Sequence, residues 1–354
     1  MRRHSLPRAL TRLLCLCGLL YTFAHFYHTG VRHAWLQFSG DFLSNFPSLR
    51  IATWAGRPDW YRAYLVSGWL GPSQWGYGPL MHLVTWPLFW LPSLPTAYRA
   101  WLVANYAFLA VSGVLLYRLT LPRRMTWATL TAFVVLVGNF YPLYEALAQR
   151  NIEICELLLL LGALTAYVRR QDALAGCLTG LAAMTKFLPI IVVGYLALKR
   201  RWRAVAWALA TIGIVAIITQ VLLGWQHSAV IALLGEMDGG YLVTQLNQTL
   251  GGGLLRLLLL LDLLGRVDAH GLAVLCRALM AVQVGAVAAW AWRRLPSAAD
   301  ERLEWSLMLV AMMLLLPPHN HNYYLVFLIV PYVVMLGRRL AGTLRGWRTP
   351  ALVA

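Results

Sequence analysis

Apolar segments alternate with short polar intervals along most of the 354-residue chain. Many of these segments approach the ~20 residues that an α-helix needs to cross a bilayer. The polar intervals are too short to form a separate soluble domain. The pattern predicts membrane-crossing helices over residues 10–27, 98–117, 126–141, 152–168, 204–223, 271–292, 303–316 and 323–336.

Three further apolar segments do not fit a simple crossing. Residues 79–91 would form a helix of only about 20 Å, which predicts a re-entrant or surface-lying element. Residues 174–198 are long enough to cross but have basic residues at both ends, so we expect two half-helices that meet at Lys186-Phe187-Leu188-Pro189. Such broken helices are tolerated where they line a cavity. Residues 254–264 are too short to cross comfortably.

The composition agrees with a membrane protein: 60% of the residues are hydrophobic, 12% are charged and the mean hydropathy is +0.63. These values predict an all-α polytopic membrane protein with about 8–11 transmembrane or re-entrant helices. We expect one integral membrane domain over residues 1–354, with residues 29–78 as a first extracytoplasmic loop that carries interfacial helices.

The formal net charge of +17 could indicate nucleic-acid binding, but the positions of the basic residues argue against it. They cluster at the ends of apolar segments, as the positive-inside rule describes for cytoplasmic loops. We therefore expect a multi-pass protein of the inner or plasma membrane with both termini in the cytoplasm. The clusters are Arg2-Arg3, Arg123-Arg124, Arg169-Arg170, Lys199-Arg200-Arg201, Arg293-Arg294 and Arg338-Arg339.

With this topology, several polar residues fall on the extracytoplasmic side and predict a site there. Asp41 follows the first crossing and could act as a general base or could cap an interfacial helix. Lys186 lies at the break between the half-helices, where a charge is costly unless it has a partner. It could bind a phosphate or extend to the lipid headgroups. The other candidates are Tyr77, Gln149, Asn151, Asn247, His319, His321 and Tyr323.

Each of these candidates also has a structural interpretation. Asn151 could cap the following helix, and Arg150 is spaced to pair with Glu153 on it. His319 and His321 could bind a metal, but no third ligand has suitable spacing, so hydrogen bonding to a sugar or phosphate is preferred. Tyr323 and Tyr324 could belong to an interfacial aromatic belt. The five cysteines lie in apolar segments without a CxxC spacing, so we expect neither a metal site nor disulfides.

The order of short motifs resembles glycosyltransferase family 87, which comprises polyprenol-phosphate-mannose-dependent mannosyltransferases of the GT-C superfamily. Tyr77-Gly78-Pro79 stands where the family has Tyr-Pro-Pro, and the histidines near the end of the chain are shifted relative to the family pattern. The motifs that carry the resemblance are Gly40-Asp41-Phe42, residues 56–61, Tyr77-Gly78-Pro79, Gln149-Arg150-Asn151, Ala175-Gly176, residues 180–183, residues 186–189 and residues 245–250.

The resemblance implies a GT-C-like bundle and transfer of a hexose, with mannose as the sugar, from a polyprenyl-phosphate donor to a glycolipid or glycan acceptor. Transfer would invert the anomeric centre on the extracytoplasmic face, with Asp41 as base and Lys186 at the donor phosphate. No cofactor or metal is expected, because the leaving group is already a phosphate anion. The alternatives are a transporter or flippase for a lipid-linked sugar and a non-catalytic membrane subunit.

Overall fold

A computed structural model of the chain describes residues 8–36, 79–85, 87–88, 91, 94–121, 126–186, 188–223, 250–261, 269–294, 300–314 and 322–340. Within these ranges every regular element is a helix, so the predicted all-α polytopic class is confirmed. Five of the predicted site residues lie outside the described residues: Asp41, Tyr77, Asn247, His319 and His321.

Between residues 94 and 223 the helices follow one another with short connections. A π-helical segment, Phe26–His33, and a short turn, Ala34–Leu36, continue the first helix, and a 3-10 segment, Asn322–Leu328, precedes the last. The α-helices are α1 (Arg8–His25), α2 (Pro79–Thr85), α3 (Leu94–Thr120), α4 (Trp127–Gly138), α5 (Tyr141–Gln149), α6 (Glu153–Val168), α7 (Asp172–Lys186), α8 (Ile190–Leu198), α9 (Trp202–Leu223), α10 (Leu250–Leu260), α11 (Ala269–Arg294), α12 (Glu301–Leu314) and α13 (Ile329–Leu340).

Two stretches of the described chain are long and apolar enough to cross a membrane as single helices, Ala9–Leu36 and Pro95–Thr120. A third crossing is possible if α4 and α5 form one span, although they are bent by 50° relative to each other. Trp202–Ile218 and Ala281–Trp290 are shorter apolar helices. The seven-residue α2 is far too short to cross, as predicted for residues 79–91.

The first helix is longer than its hydropathy predicts, because helical structure continues nine residues beyond Tyr27 to Leu36. This extension is polar on one side only. Gly30 and Ala34 are buried against the bundle, whereas His28 and Arg32 are exposed. The sequence predicted that this helix ends where the apolar segment ends, at Tyr27. The polar extension is instead stabilised by packing against the bundle, which the hydropathy of the sequence does not show.

The predicted break between two half-helices is confirmed: α7 ends at Lys186 and α8 begins at Ile190. Pro189 precedes α8 and has no N–H group to donate to a helical hydrogen bond. Its ring also disfavours the helical conformation at the residue before it, Leu188. The chain therefore leaves α7 after Lys186 and starts a new helix after Pro189. The direction of this break relative to the membrane stays a prediction.

The core forms where α6, α7, α8 and α12 meet. Three aromatic rings, those of Tyr167, Tyr195 and Trp305, pack against one another with centroids 5.7–5.9 Å apart. All three side chains are buried. The Tyr195 hydroxyl donates a 2.7 Å hydrogen bond to Glu304, so its one polar atom is satisfied inside the core.

Ion pairs join the helices at the end of the bundle where the basic clusters lie. We call this the basic end. Because each pair links residues distant in sequence, the basic clusters at 169–170, 199–201 and 338–339 share this end. The pairs are Arg170–Glu301 at 3.1 Å, Lys199–Glu304 at 2.9 Å, Arg201–Asp172 at 3.4 Å and Arg338–Asp300.

Asp300 shows how these contacts act on one carboxyl group. Its partial burial alone would raise the pKa, but a hydrogen bond from Arg338 and backbone N–H groups of Leu303 and Arg302 outweigh burial. The net effect holds the pKa of Asp300 below its ordinary value. Asp300 therefore stays ionised at neutral pH, at the N-terminus of α12.

Candidate functional site

A cluster of buried polar side chains lies at the end of the bundle opposite the basic end. We call it the polar cluster; its residues lie just before and in the first turn of α6, at the end of α7, on α3 and in the 3-10 segment. Helices α6 and α7 run antiparallel and are joined by a tight turn at residues 169–171, so the end of α7 returns to the start of α6. The members are Tyr98, Trp101, Arg150, Asn151, Glu153, Glu156, Thr185, Lys186 and Tyr324.

Lys186, the last residue of α7, forms an ion pair with Glu153, the first residue of α6. The Glu153 side chain is fully buried and the Lys186 side chain is 10% exposed. The Lys186 ammonium also lies 3.6 Å from the centre of the Tyr324 ring. Its charge is thus balanced by a carboxylate and by the electron-rich ring face. These contacts give Lys186 the partner that a charge in an apolar environment requires.

A second carboxyl group, Glu156, lies one turn further along α6 and is also buried. The Thr185 hydroxyl lies 2.7 Å from Glu156 Oε2 and 2.6 Å from the carbonyl oxygen of Ala182. Thr185 and Lys186 therefore make polar contacts to the same helix, at Glu156 and Glu153 respectively. Both carboxyl groups lie in the first turn of α6, where the helix dipole favours negative charge.

Arg150 connects three parts of the bundle. It is completely buried, and its backbone is left-handed, with φ 52° and ψ 43°, where the chain turns from α5 to α6. The guanidinium donates to the Tyr98 hydroxyl and to the Ala34 carbonyl, and it lies over the Tyr98 ring. The Trp101 indole in turn donates a 2.8 Å hydrogen bond to the Arg150 carbonyl.

These contacts differ from the local Arg150–Glu153 pair that the sequence predicted. The Arg150 guanidinium instead contacts Tyr98 on α3 and Ala34 in the turn after the π-helical segment. Glu153 forms its ion pair with Lys186. The left-handed backbone at Arg150 explains the difference, because the i, i+3 geometry requires both residues to lie in one continuous helix. Arg150 instead precedes α6 and lies outside it.

The structure brings together some of the predicted site residues. Lys186 and Asn151 belong to the polar cluster, and Gln149 is the half-buried last residue of α5 beside it. Asn151 lies one residue before the N-cap of α6, which is Ile152, so Asn151 does not occupy the N-cap position. Tyr323 belongs by its backbone to the 3-10 segment that carries Tyr324.

Sequence reasoning did not find Tyr98 and Trp101, and it assigned Glu153 the wrong partner. Tyr98 and Trp101 look like ordinary interfacial aromatics on α3. Their partner, Arg150, is about fifty residues away in the chain. The available signal was the spacing of Glu153 and Glu156, since two acids inside an apolar helix require buried partners.

No group of three or more His, Cys, Asp or Glu side chains among the described residues is arranged to hold a metal ion. What the polar cluster offers instead is donors, acceptors and one ammonium group. An ammonium group has three N–H donors, and oxygens of phosphates and sugars are suitable acceptors for such donors.

Comparison with curated proteins and comparison with solved structures each gave no significant match. A family-level comparison did match: the description "Glycosyltransferase family 87" fits residues 75–318. This match covers well over half of the chain and includes every member of the polar cluster except Tyr324, which lies just beyond its end. Glycosyl transfer is therefore the class of activity, and the chain belongs to glycosyltransferase family 87.

Proposed function

We propose that this glycosyltransferase moves a hexose, with mannose as the sugar, from a polyprenyl-phosphate donor to a hydroxyl group of a glycolipid or glycan acceptor. Transfer inverts the anomeric centre and takes place on the extracytoplasmic face of the inner or plasma membrane. Asp41 is the general base and Lys186 binds the donor phosphate. The whole chain acts as one membrane domain and uses no cofactor.

The observation that carries this proposal is the buried Lys186–Glu153 pair beside the Arg150 contacts. Arg150 binds the carbonyl of Ala34, and the described chain ends two residues later at Leu36. Asp41 follows Leu36 by five residues, so its Cα lies within about 18 Å of the Leu36 Cα even if the chain is fully extended. The segment that leads to the proposed base therefore begins next to the polar cluster.

The Lys186–Glu153 pair supports a phosphate site in one specific way. Glu153 and the Tyr324 ring hold the ammonium group in one direction, so little side-chain entropy is lost when it binds a ligand oxygen. This fixed direction favours binding of a ligand oxygen, such as that of a phosphate, near the break between α7 and α8.

The proposed reaction does not require a metal ion, because side chains supply the base and the charge that stabilises the leaving group. The Asp41 carboxylate accepts the proton of the acceptor hydroxyl as that oxygen forms a bond to the anomeric carbon. The bond between the anomeric carbon and the phosphate oxygen breaks on the opposite side, and its electron pair leaves with the polyprenyl phosphate. Lys186 stabilises the charge that develops on the leaving phosphate.

The remaining predicted residues have supporting roles in this proposal. Amide and imidazole side chains can both donate to and accept from sugar hydroxyl groups, and tyrosine can do the same through its hydroxyl. These residues would fix the sugar and the phosphate around the reacting carbon. They are Tyr77, Gln149, Asn151, Asn247, His319, His321 and Tyr323.

Replacement of Asp41 by Asn tests the proposal directly. We expect Asp41→Asn to lose about 10²–10⁴-fold in kcat, the usual contribution of a general base, while donor affinity is kept. The assay uses the purified full-length protein, radiolabelled polyprenyl-phosphate-mannose and a panel of membrane lipid acceptors. Protein yield is measured in parallel.

Asp172→Asn is the matched control, since Asp172 pairs with Arg201 at the basic end and we expect normal transfer there. Full transfer by Asp41→Asn would remove Asp41 from the mechanism. Wild-type protein that moves the lipid-linked sugar across vesicles without transferring it would instead support a flippase.

A further inference from the structure

An open pocket of about 390 Å³ lies on the extension of the first helix and is lined by His28, Arg32, His33 and Leu36. This volume falls within the range of about 300–1,000 Å³ typical of small-molecule sites. The polar groups that line it are hydrogen-bond donors of the kind that bind anions. A guanidinium offers two parallel N–H groups that match two oxygens of a phosphate.

Arg32 has no acidic partner among the described residues. In the polar cluster, by contrast, the charge of Lys186 is matched by Glu153. Of the basic groups on this helix extension, Arg32 and the two histidines are exposed. An anionic ligand that approaches this end of the bundle can therefore reach the exposed guanidinium of Arg32.

Hydrogen bonds to the rest of the bundle hold the helix extension that carries this pocket. On the opposite side of the same helix, the Gly30 carbonyl accepts a 2.8 Å hydrogen bond from Tyr106 and the Ala34 carbonyl accepts one from Arg150. The π-helical geometry of Phe26–His33 widens each turn. π-helical segments are rare in proteins, and those that do occur are often located at functional sites.

The surroundings of the pocket fit a membrane surface. Tyr27, Trp35 and Leu36 are large apolar side chains that are 57%, 37% and 65% exposed. Aromatic side chains of this type concentrate at the level of the lipid headgroups. A lipid phosphate fits such a setting, because its acyl or prenyl chains can pack beside the exposed apolar residues.

We propose that the pocket formed by His28, Arg32 and His33 binds a phosphate group carried by a membrane lipid. Two lipids supply this chemistry: the polyprenyl phosphate of the sugar donor and an anionic glycerophospholipid. Only the first source rests on the proposed function. The site is separate from Lys186, which keeps its partner Glu153.

The test measures lipid binding directly, so it does not depend on transfer activity. Full-length protein in a neutral detergent is titrated with polyprenyl phosphate, phosphatidylglycerol or phosphatidylcholine, and the apparent Kd is read from intrinsic tryptophan fluorescence. We expect at least one phosphate lipid of net negative charge to bind, and phosphatidylcholine to bind more weakly. Tighter binding of polyprenyl phosphate identifies the donor as the source, and tighter binding of phosphatidylglycerol identifies the headgroup.

Three variants locate the site. Arg32→Gln should weaken binding about tenfold, since it removes charge-assisted hydrogen bonds and each factor of ten is 1.4 kcal/mol. Arg32→Lys keeps the charge but loses the paired N–H groups, so we expect an intermediate loss. Arg12→Gln removes an exposed arginine near the other end of the same helix and should bind as the wild type does.

Two results would overturn the proposal. One is binding of the charged lipids by wild-type protein no tighter than that of phosphatidylcholine. The other is an Arg32→Gln or Arg32→Lys variant with unchanged affinity. If Arg32→Gln does not fold, the wild-type titration and Arg32→Lys still decide. Lipid binding lost in Arg32→Gln, without transfer activity in any form of the protein, would contradict the proposed function alone.

Discussion

At the level of single residues, the main feature of the site is the ion pair between Lys186 and Glu153 inside the bundle. Both Lys186 and Glu153 would be costly alone in an apolar environment, because an isolated charge loses its hydration there. As a pair they are tolerated, and the Tyr324 ring adds an attractive contact to the ammonium. Removal of either partner leaves the other charge uncompensated.

Glu153→Gln should therefore destabilise the protein strongly. The expected cost is about 3 kcal/mol, since loss of one partner from a buried ion pair leaves a buried charge. The double variant with Lys186→Met removes both charges, and we expect it to recover much of this loss. The measurement is the apparent free energy of unfolding in mixed micelles for the two single variants and the double variant.

Glu301→Gln serves as the matched control, because Glu301 pairs with a largely exposed arginine, Arg170. Its expected cost is below about 1 kcal/mol. If the effects of Glu153→Gln and Lys186→Met were strictly additive, the two residues would not act as a pair.

Arg150 shows why a residue of the site can be missed from sequence. It shares a positive φ with Arg170 and Arg200, which also follow the ends of helices. Those two arginines are exposed, whereas Arg150 is completely buried. The residue type and the local conformation are the same in all three places. Only the partners differ, and those of Arg150 are 52 and 116 residues away along the chain.

At the level of elements, the close packing of α7 on α9 positions the end of α7 at the polar cluster. Gly176 and Gly180 lie one turn apart on α7, and both face backbone carbonyls of α9, at Ala204 and Ala208. Small residues at this spacing let two helices approach until their backbones touch. Gly176 and Gly180 were recognised in the sequence as parts of a family motif; in the structure, their role is this close approach.

Gly176→Ala should therefore weaken the α7–α9 contact. The added Cβ would overlap the Ala204 carbonyl oxygen and lie 2.8 Å from Trp207 Cβ, and backbone atoms cannot move aside cheaply. We expect a loss of about 1–3 kcal/mol, typical of overpacking. The melting temperature of the purified protein in detergent is the measurement.

Gly213→Ala provides the control on α9 itself, because nothing lies within 4 Å of a Cβ added there. Gly213 is half-buried, and replacement of a helical glycine by alanine without a clash gains up to about 1 kcal/mol of helix propensity. We therefore expect an unchanged or slightly higher melting temperature. Equal losses at Gly176 and Gly213 would contradict the packing explanation.

The whole molecule has two chemically different ends. The basic end is held by ion pairs such as Arg170–Glu301 and Lys199–Glu304. The opposite end carries the polar cluster and the pocket at Arg32. This separation agrees with a topology in which the basic end faces the cytoplasm and the site faces outward.

Labelling of single cysteines tests that topology. In a background without the five natural cysteines, Leu36→Cys should react with a membrane-impermeant maleimide in sealed, right-side-out vesicles. Arg200→Cys, which is exposed at the basic end, should react only after detergent is added. Reaction of both positions from the same side would exclude the predicted orientation.

The sequence by itself determined the class of the fold and the break between α7 and α8, because both depend on local features: the length of apolar segments, the charges at their ends and Pro189. The kind of chemistry was implied by the resemblance of the sequence motifs to a family, which the family-level match confirmed. Asp41, Tyr77, Asn247, His319 and His321 stay predictions, because they lie outside the described residues.

Only the tertiary structure decided which charges meet. Glu153 is three residues from Arg150 and thirty-three from Lys186, yet it pairs with Lys186. The antiparallel packing of α6 and α7 places the end of α7 beside the start of α6. The length of the first helix extension and the outward pocket at Arg32 were decided in the same way. Hydropathy records how each residue prefers water or lipid, whereas the choice of partner depends on distances between segments that are far apart in the chain.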